Sequence, residues 1–425
     1  MSGEIFLGNM DKRRPLIAVI VSEADRSFIC EALNVIQKEL FAADMDAAVF
    51  STLLTRYEEL SIENKLFDIV NYDIIDGFIV FLKGLHGDGV RESLSAKLEK
   101  LDKPVIYMDE FVPGENNTVF DYIELADAAA AHLSDIHSVK TAAYVDGNDA
   151  SEYYECLKNN FIAALKRKGI TVPKELEFYG RELSGNFSEI VDKMISFGMP
   201  DAALCSSDHS AAALIGELSR RNVRVPEDII IMGCCSGEPY KTSALNISSV
   251  KRDPAKIAAN AARRIISAIK GVPFVPYEGA SSKFVNGFSC GCGNIDLLSL
   301  SEAAKKEMMP YSPDGFDSCY NYMQEELISA PTFIDFLWKL DWYTFYINGL
   351  KGFWLCLNDN IMHTSAAVTE YTDDMDMPYA RLNGKGSVDE NRKFSRSQML
   401  PYIFEDRDEP AAFIFTPLHF DYGNL

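Results

Sequence analysis

A chain of 425 residues with 47% apolar and 24% charged residues has an ordinary globular composition and the length for two or three domains. Its formal net charge of −22 argues against nucleic acid as a partner of this chain alone, because a binding face must neutralise phosphates. Nine cysteines without a framework spacing read as reduced thiols in a cytoplasm, and no run reaches the roughly 20 apolar residues that cross a bilayer. The compact basic cluster Lys12-Arg13-Arg14 mimics a signal peptide, but the apolar run behind it is short and lacks a small-residue cleavage site.

In chain order, Leu16–Val21 predicts a buried strand, followed by a helix through Ile29, Leu33, Ile36 and Leu40. Ala47–Phe50 predicts a second strand, Tyr57–Val70 a helix, Phe78–Leu82 a third strand, Val90–Leu101 a helix and Pro104–Met108 a fourth strand. Alternation continues with helix Ile123–Ser134 and strand Thr141–Val145. It restarts after Gly147 with helix Ser151–Lys168, a strand near Leu176–Tyr179, helix Ser188–Phe197 and strand Ala202–Cys205. Two doubly wound α/β units in series are the expected architecture.

The most informative stretch is Arg221–Cys235, R-N-V-R-V-P-E-D-I-I-I-M-G-C-C. A helix over Ser210–Arg220 precedes it, and Pro226 prevents its continuation. Ile229–Met232 is a continuous apolar run, as expected of a strand buried on both faces of a parallel sheet. It empties into Gly233-Cys234-Cys235-Ser236-Gly237, a turn at a carboxyl end, where open α/β sheets place ligands.

The order helix, V-P-E-D, buried strand, G-x-x resembles the effector-binding domain of the lac and galactose repressor family, which has the two-lobed fold of periplasmic sugar-binding proteins. Asp76-Gly77-Phe78-Ile79, Pro104-Val105, Ser207-Asp208 and Leu245–Arg252 take further family positions, so the resemblance covers about Pro15 to Cys292. It implies a ligand-binding domain over 15–292, with lobe 1 at about 15–138 and 250–275 and lobe 2 at about 139–249 and 276–292. Three crossings are expected, near Ser138, Ser249 and Val275. Ala255–Lys270 is the expected returning helix and Phe284–Ser289 the closing strand. Residues 1–14 are expected to be a tail, shorter than the family's helix-turn-helix headpiece.

After Gly293 the pattern changes. Phe316–Ile328 and Thr332–Ile347 predict amphipathic helices, making 293–348 a helical connector. Gly352–Leu357, Met377–Gly386 and Ala411–Pro417 predict strands of a smaller α+β unit over 349–425, which resembles a GAF-type sensor domain in element order. Asp421-Tyr422-Gly423-Asn424 reads as a hairpin turn, so the unit is expected to be incomplete and the natural protein to continue.

The family resemblance implies a ligand gripped at strand ends by Ser22, Asp25, Asp109, Ser151, Phe187, Ser207, Cys235 and Arg252. Asp109 would accept hydrogen bonds from ligand hydroxyls, and Phe187 would stack on a ring face. The competing explanation for Ser and Asp at these places is helix capping. Leu157 stands where sugar-binding members have Arg, and Cys235 where they have Asp. These departures point to a ligand less polar than a sugar, or to a pocket that no longer binds one.

Other motifs are weaker. Gly233-x-Cys235-x-Gly237 fits a cysteine nucleophile elbow, but no histidine lies between His209 and His363 to act as base. Gly84-x-x-Gly87-x-Gly89 has the wrong spacing for a phosphate loop. Cys290-x-Cys292 lacks a second pair at ligand spacing, and Asp373-Asp374-x-Asp376 lacks the glycine and glutamate of a calcium loop. No metal and no cofactor are expected. The reading is a cytoplasmic, non-enzymatic sensor of a small-molecule effector, homodimeric through lobe 1, with neither nucleic acid nor membrane as partner of this chain. Its output, a diguanylate cyclase or helix-turn-helix domain, is expected beyond residue 425. A transport-type solute-binding protein and a Cys235 hydrolase are the alternatives.

Overall fold

The computed structural model describes residues 13–24, 27–52, 66–82, 85, 89–108, 117–118, 122–146, 152–179, 186–234, 247–293, 315–344, 347, 349–359, 371–401, 403, 407–417, 419–420 and 423–424. Strand and helix alternate as the apolar periodicity predicts: β1 (Leu16–Ser22), α1 (Ser27–Ala42), β2 (Asp46–Thr52), α2 (Leu66–Ile69), β3 (Gly77–Val80), α3 (Val90–Leu98) and β4 (Val105–Met108). After β5 (Asn117–Thr118), α4 (Tyr122–Ala131) runs on as a π-helix over His132–Ile136. Then come β6 (Ala142–Val145), α5 (Glu152–Arg167), β7 (Glu177–Phe178), α6 (Phe187–Phe197), β8 (Ala202–Cys205) and α7 (Asp208–Arg220). β9 (Ile230–Cys234), β10 (Ser249–Arg252), α8 (Ala255–Lys270) and β11 (Ser282–Val285) follow. The expected closing strand is shorter than its apolar residues suggested, because the chain turns into a 3-10 helix at Phe288–Cys290.

Two compact units emerge: Met1–Glu23, Leu40–Val105 and Leu297–Leu425 form the first, and Ala24–Glu39 with Ile106–Asp296 the second. In the second unit, six strands lie in the order β11-β10-β9-β8-β6-β7. All neighbours are parallel except β10 and β11. The strands β6 and β8 are buried throughout and read as unbroken apolar runs, because helices cover both faces of such a sheet. On one side Val145, Phe178, Ile190, Met194, Leu214 and Ile231 form a continuous core. The chain leaves α7 through Asn222, whose positive φ of 58° reverses the backbone after the helix. Asp228 then clasps Arg224 by a two-point ion pair, at 2.9 and 2.6 Å, and accepts its backbone N–H at 2.9 Å. Thus the V-P-E-D segment is a self-bonded entry to β9.

In the first unit, β16 (Ala412–Phe415), β2, β1 and β3 run side by side and parallel in that order. Every residue of β1, β2 and β3 is buried. Asp76 anchors the amino end of β1, accepting the Leu16 N–H at 2.7 Å and two bonds from Arg13 at 2.6 and 3.1 Å. Arg14 donates to the carbonyl oxygens of Arg407 and Asp408, at 2.6 and 2.8 Å. Arg13 and Arg14 of the basic cluster are therefore engaged in folding.

α9 (Gly315–Ile328) and α10 (Phe333–Tyr343) precede an antiparallel sheet of β12 (Gly352–Asn358), β13 (Asp374–Leu382), β14 (Lys385–Val388) and β15 (Lys393–Ser395). Leu337 of α10 packs on Leu355, Leu357 and Tyr379, which gives this α+β layer its own small core. Ala412–Phe415 is not a member of this sheet, although the sequence placed it there. Its parallel pairing with β2 is secured by Asp46, which accepts the Ala411 N–H at 2.7 Å and an Arg407 bond at 2.6 Å. β17 (His419–Phe420) and β18 (Gly423–Asn424) pair antiparallel, so Gly423 and Asn424, expected in the turn, are strand residues.

Candidate functional site

The parallel strands of the second unit carry polar residues at their carboxyl ends. Asp146 follows β6 and is buried, and its carboxylate accepts a 2.8 Å bond from Ser206, which follows β8. Asp208, at the head of α7, accepts a 2.6 Å bond from Ser249 of β10. Ser249 lies level with Gly233 in the register. A side chain on Gly233 would place Cβ 2.2 Å from Asp208 Oδ1 and 3.1 Å from Asp208 Cα. This glycine therefore lets the first turn of α7 approach β9, which explains its place in the G-C-C turn. Burial, with the Asp208 and Asp146 carboxylates nearby, pushes the Cys205 thiol far up, so this sulfur is an inert core atom.

Of the sequence-predicted residues, Asp25, Asp109, Ser151 and Cys235 lie outside the described residues. Ser22 ends β1 of the first unit, buried and opposite Thr52. Ser207 caps α7: its Oγ accepts the Ser210 N–H at 3.1 Å. Phe187 is the first residue of α6, behind the Asn186 cap, and packs in the core with Val145 and Phe178. Its ring serves that core in the structure. Arg252 in β10 is half-buried, with its guanidinium 4.3 Å over the Phe28 ring and Nη1 3.4 Å from the Tyr122 hydroxyl. These contacts hold a cation at the carboxyl end of the sheet. Sheet order sets Ser207 and Arg252 on either side of β9.

Leu157 and Phe161, one turn apart in α5, are both buried, so the position where the family resemblance implies an Arg is an apolar core position here. Asp146 and Ser206 were not singled out from the sequence, and Asp208 and Ser249 only as members of the family-like segments Ser207-Asp208 and Leu245–Arg252. For Asp146 and Ser206 the signal was a polar residue directly after a buried run.

A second cluster also escaped the sequence reading. His132, His137, Cys290 and Cys292 bring their four ligand atoms within 4.8 Å of one another. The pair missing beside Cys290-x-Cys292 is a histidine pair. The available signal was the H-x-x-x-x-H spacing at 132–137.

Residues 131–279 match the family model described as a periplasmic binding protein-like domain. The chain is 25% identical over 200 residues to the HTH-type transcriptional repressor PurR of Aliivibrio salmonicida, covering 46% of this chain and 58% of that protein. It is 24% identical over 235 residues to the HTH-type transcriptional regulator DegA of Bacillus subtilis, covering 52% and 64%. The matches thus span less than two thirds of either relative. A sugar-binding LacI-family transcriptional regulator from Escherichia coli, solved with phosphate, aligns with a TM-score of 0.50 at 17% identity, over 65% of this chain and 99% of that one. At that identity the likeness concerns the fold. Among the described residues no helix is long and apolar enough to cross a membrane. Residues 131–279 are thus similar to a periplasmic binding protein-like domain, and the α/β fold is like that of LacI-family regulators of known structure.

Proposed function

We propose that this chain is the small-molecule-sensing module of a bacterial-type transcription or signalling regulator, and not an enzyme. Residues 15–292, with Ala412–Phe415 added at the β2 edge, are the ligand-binding domain, 293–348 the connector, and the β12–β15 layer a smaller sensor unit. An effector held between the two lobes, as in the family the sequence resembles, would shift the module toward a closed state by its differential affinity for that state. Closure would be relayed through a lobe 1 dimer to an output. The observation that carries the reading is the polar array on the parallel sheet: the Asp146–Ser206 and Asp208–Ser249 pairs, with the Arg252 cation held by Phe28 and Tyr122. It stands at the strand ends where open α/β sheets take ligands, in a domain matched by a ligand-binding family. Both relatives are named as transcription regulators.

The test is a thermal-shift screen of small metabolites followed by calorimetry. A true effector at 100 times its dissociation constant adds about 2.7 kcal/mol of stability. Arg252→Ala, and Asp109→Ala at the strand-end position implied by the resemblance, should each weaken binding by about 1.5–3 kcal/mol, roughly tenfold or more. An effector bound equally well by both variants would overturn this site. Ester hydrolysis that disappears in Cys235→Ala would overturn the sensor reading altogether.

A further inference from the structure

We infer that His132, His137, Cys290 and Cys292 form a closed tetrahedral site for a zinc-type divalent cation, which clips the end of α4 to the segment after β11. The two histidines are five residues apart. In an α-helix that spacing separates them by about 140° around the axis, on different faces. Here the helix widens into a π-helix over His132–Ile136, whose bonds close on residues five apart, and both imidazoles turn to the same side. Their Nε2 atoms lie 3.1 Å apart.

The cysteines arrive on a separately built knuckle. Cys290 ends a 3-10 turn, and Gly291 has a φ of 79°, a conformation that brings Cys292 round to the same centre. A Cβ on Gly291 would also come within 3.3 Å of the Pro226 ring. Ser248 Oγ accepts the N–H groups of Gly287 and Cys290, each at 3.1 Å, and Ser289 donates to the Ile231 carbonyl at 2.7 Å. The knuckle is therefore fixed to the sheet independently of the histidines. On the other side, the His132 ring stacks on Phe284 at 3.8 Å between centroids.

The edge lengths select the ion. Zinc takes nitrogen at about 2.0–2.1 Å and sulfur at about 2.3 Å, so an ideal tetrahedron has edges of about 3.3 Å (N–N), 3.6 Å (N–S) and 3.8 Å (S–S). Cys290 Sγ lies 3.5 Å from His132 Nε2, and Cys292 Sγ lies 3.7 Å from His132 Nε2 and 3.2 Å from His137 Nε2. Together with the 3.1 Å between nitrogens, four edges fall within about 0.4 Å of that figure. Two soft thiolates with two imidazoles favour zinc over harder cations, and four protein ligands leave no open position, which marks a structural site. On binding, both thiols lose their protons to solvent, and two Zn–S and two Zn–N bonds form without redox change. The joined segments lie 155 and 158 residues apart in sequence.

The experiment uses the full 425-residue chain, reduced and reconstituted with Zn(II) or Co(II). Metal is counted by plasma mass spectrometry, and the cobalt form is read by its visible spectrum. One metal per chain is expected, with the intense d–d bands of tetrahedral cobalt and a thiolate-to-cobalt charge-transfer band. Cys292→Ser and His137→Ala, each at a partly or fully exposed position, should keep the far-UV circular dichroism of the parent. They should lose these bands and weaken binding by more than about 100-fold, beyond the loss typical of outer-shell changes. Cys156→Ser removes an exposed thiol elsewhere and should bind as the parent does. Three results would overturn the site: uptake well below one metal by the parent, a cobalt spectrum unchanged in Cys292→Ser, or equal losses in Cys156→Ser and Cys292→Ser. The parent stoichiometry decides the matter even if a variant fails to fold.

Discussion

Replacing glycine by alanine at two positions of the second unit should change stability in opposite directions. At Gly233 the new Cβ would stand 2.2 Å from Asp208 Oδ1, 3.2 Å from Asp208 Cγ and 3.1 Å from Asp208 Cα. The carboxylate can rotate away only by abandoning its 2.6 Å bond from Ser249, and the Cα can retreat only by lifting the first turn of α7 off β9. Overpacking of this kind costs about 1–3 kcal/mol, and losing a hydrogen bond to a charged group about 1.5–3 kcal/mol. Gly233→Ala should therefore destabilise the protein by about 2.5–6 kcal/mol. At Gly216, inside α7, an added Cβ meets nothing within 4 Å, so Gly216→Ala should stabilise by about 0.5–1 kcal/mol through helix propensity alone. Urea unfolding of both variants, followed by circular dichroism, gives the two differences. The double change Gly233→Ala with Asp208→Ala removes the contact with Oδ1 and should cost less than the sum of its parts. Equal effects at both glycines, or strict additivity of the double variant, would refute the close approach of α7 to β9.

Three further outcomes are expected. Ser207→Ala should cost about 1 kcal/mol by uncapping α7, and Ser207→Gly only a few tenths; equal losses would show that the hydroxyl has another task. Arg407→Ala leaves the buried Asp46 carboxylate without its 2.6 Å partner and should destabilise the first unit by up to about 3 kcal/mol in the same unfolding assay. An unchanged midpoint would show that β16 is held by its ladder alone. Arg224 holds the Asp228 carboxyl down at about 2, below its ordinary value of 3.8. The folded state therefore gains from ionisation, a gain complete above about pH 4 and lost as pH falls toward 2. Acid titration of Asp228→Asn should show a weaker pH dependence in that window than the parent, and identical curves would contradict the pairing.

Local periodicity settled much of the fold. Leu16–Val21, Ala202–Cys205 and Ile230–Met232 are apolar runs of the kind a sheet covered on both faces buries, and each lies in a parallel strand. The alternation of such runs with helical spacing made the doubly wound architecture legible, because both signals are written in neighbouring residues. The candidate site was legible only as a place, the carboxyl ends of strands. Ser207 and Phe187 sit in the same sequence context, a polar or aromatic residue opening a helix, yet one caps α7 and the other fills the core. That choice depends on which elements lie above each helix start.

Tertiary structure alone decided three matters. Ala412–Phe415 has the composition of any short strand, and its partner was set by Asp46, whose carboxylate meets Ala411 N from 365 residues away. Gly233 reads in the sequence as a turn residue, and only the packing of Asp208 against it gives it a second role. His132 and His137 are out of phase at the α-helical period, and the π-turn that aligns them is a property of the packed helix end, as is their meeting with Cys290 and Cys292. A residue's own conformation is governed largely by its neighbours in sequence, so it can be read there. Its partners across space are fixed only when the chain closes, and in this protein the charged and ligating groups find their roles in those long-range contacts.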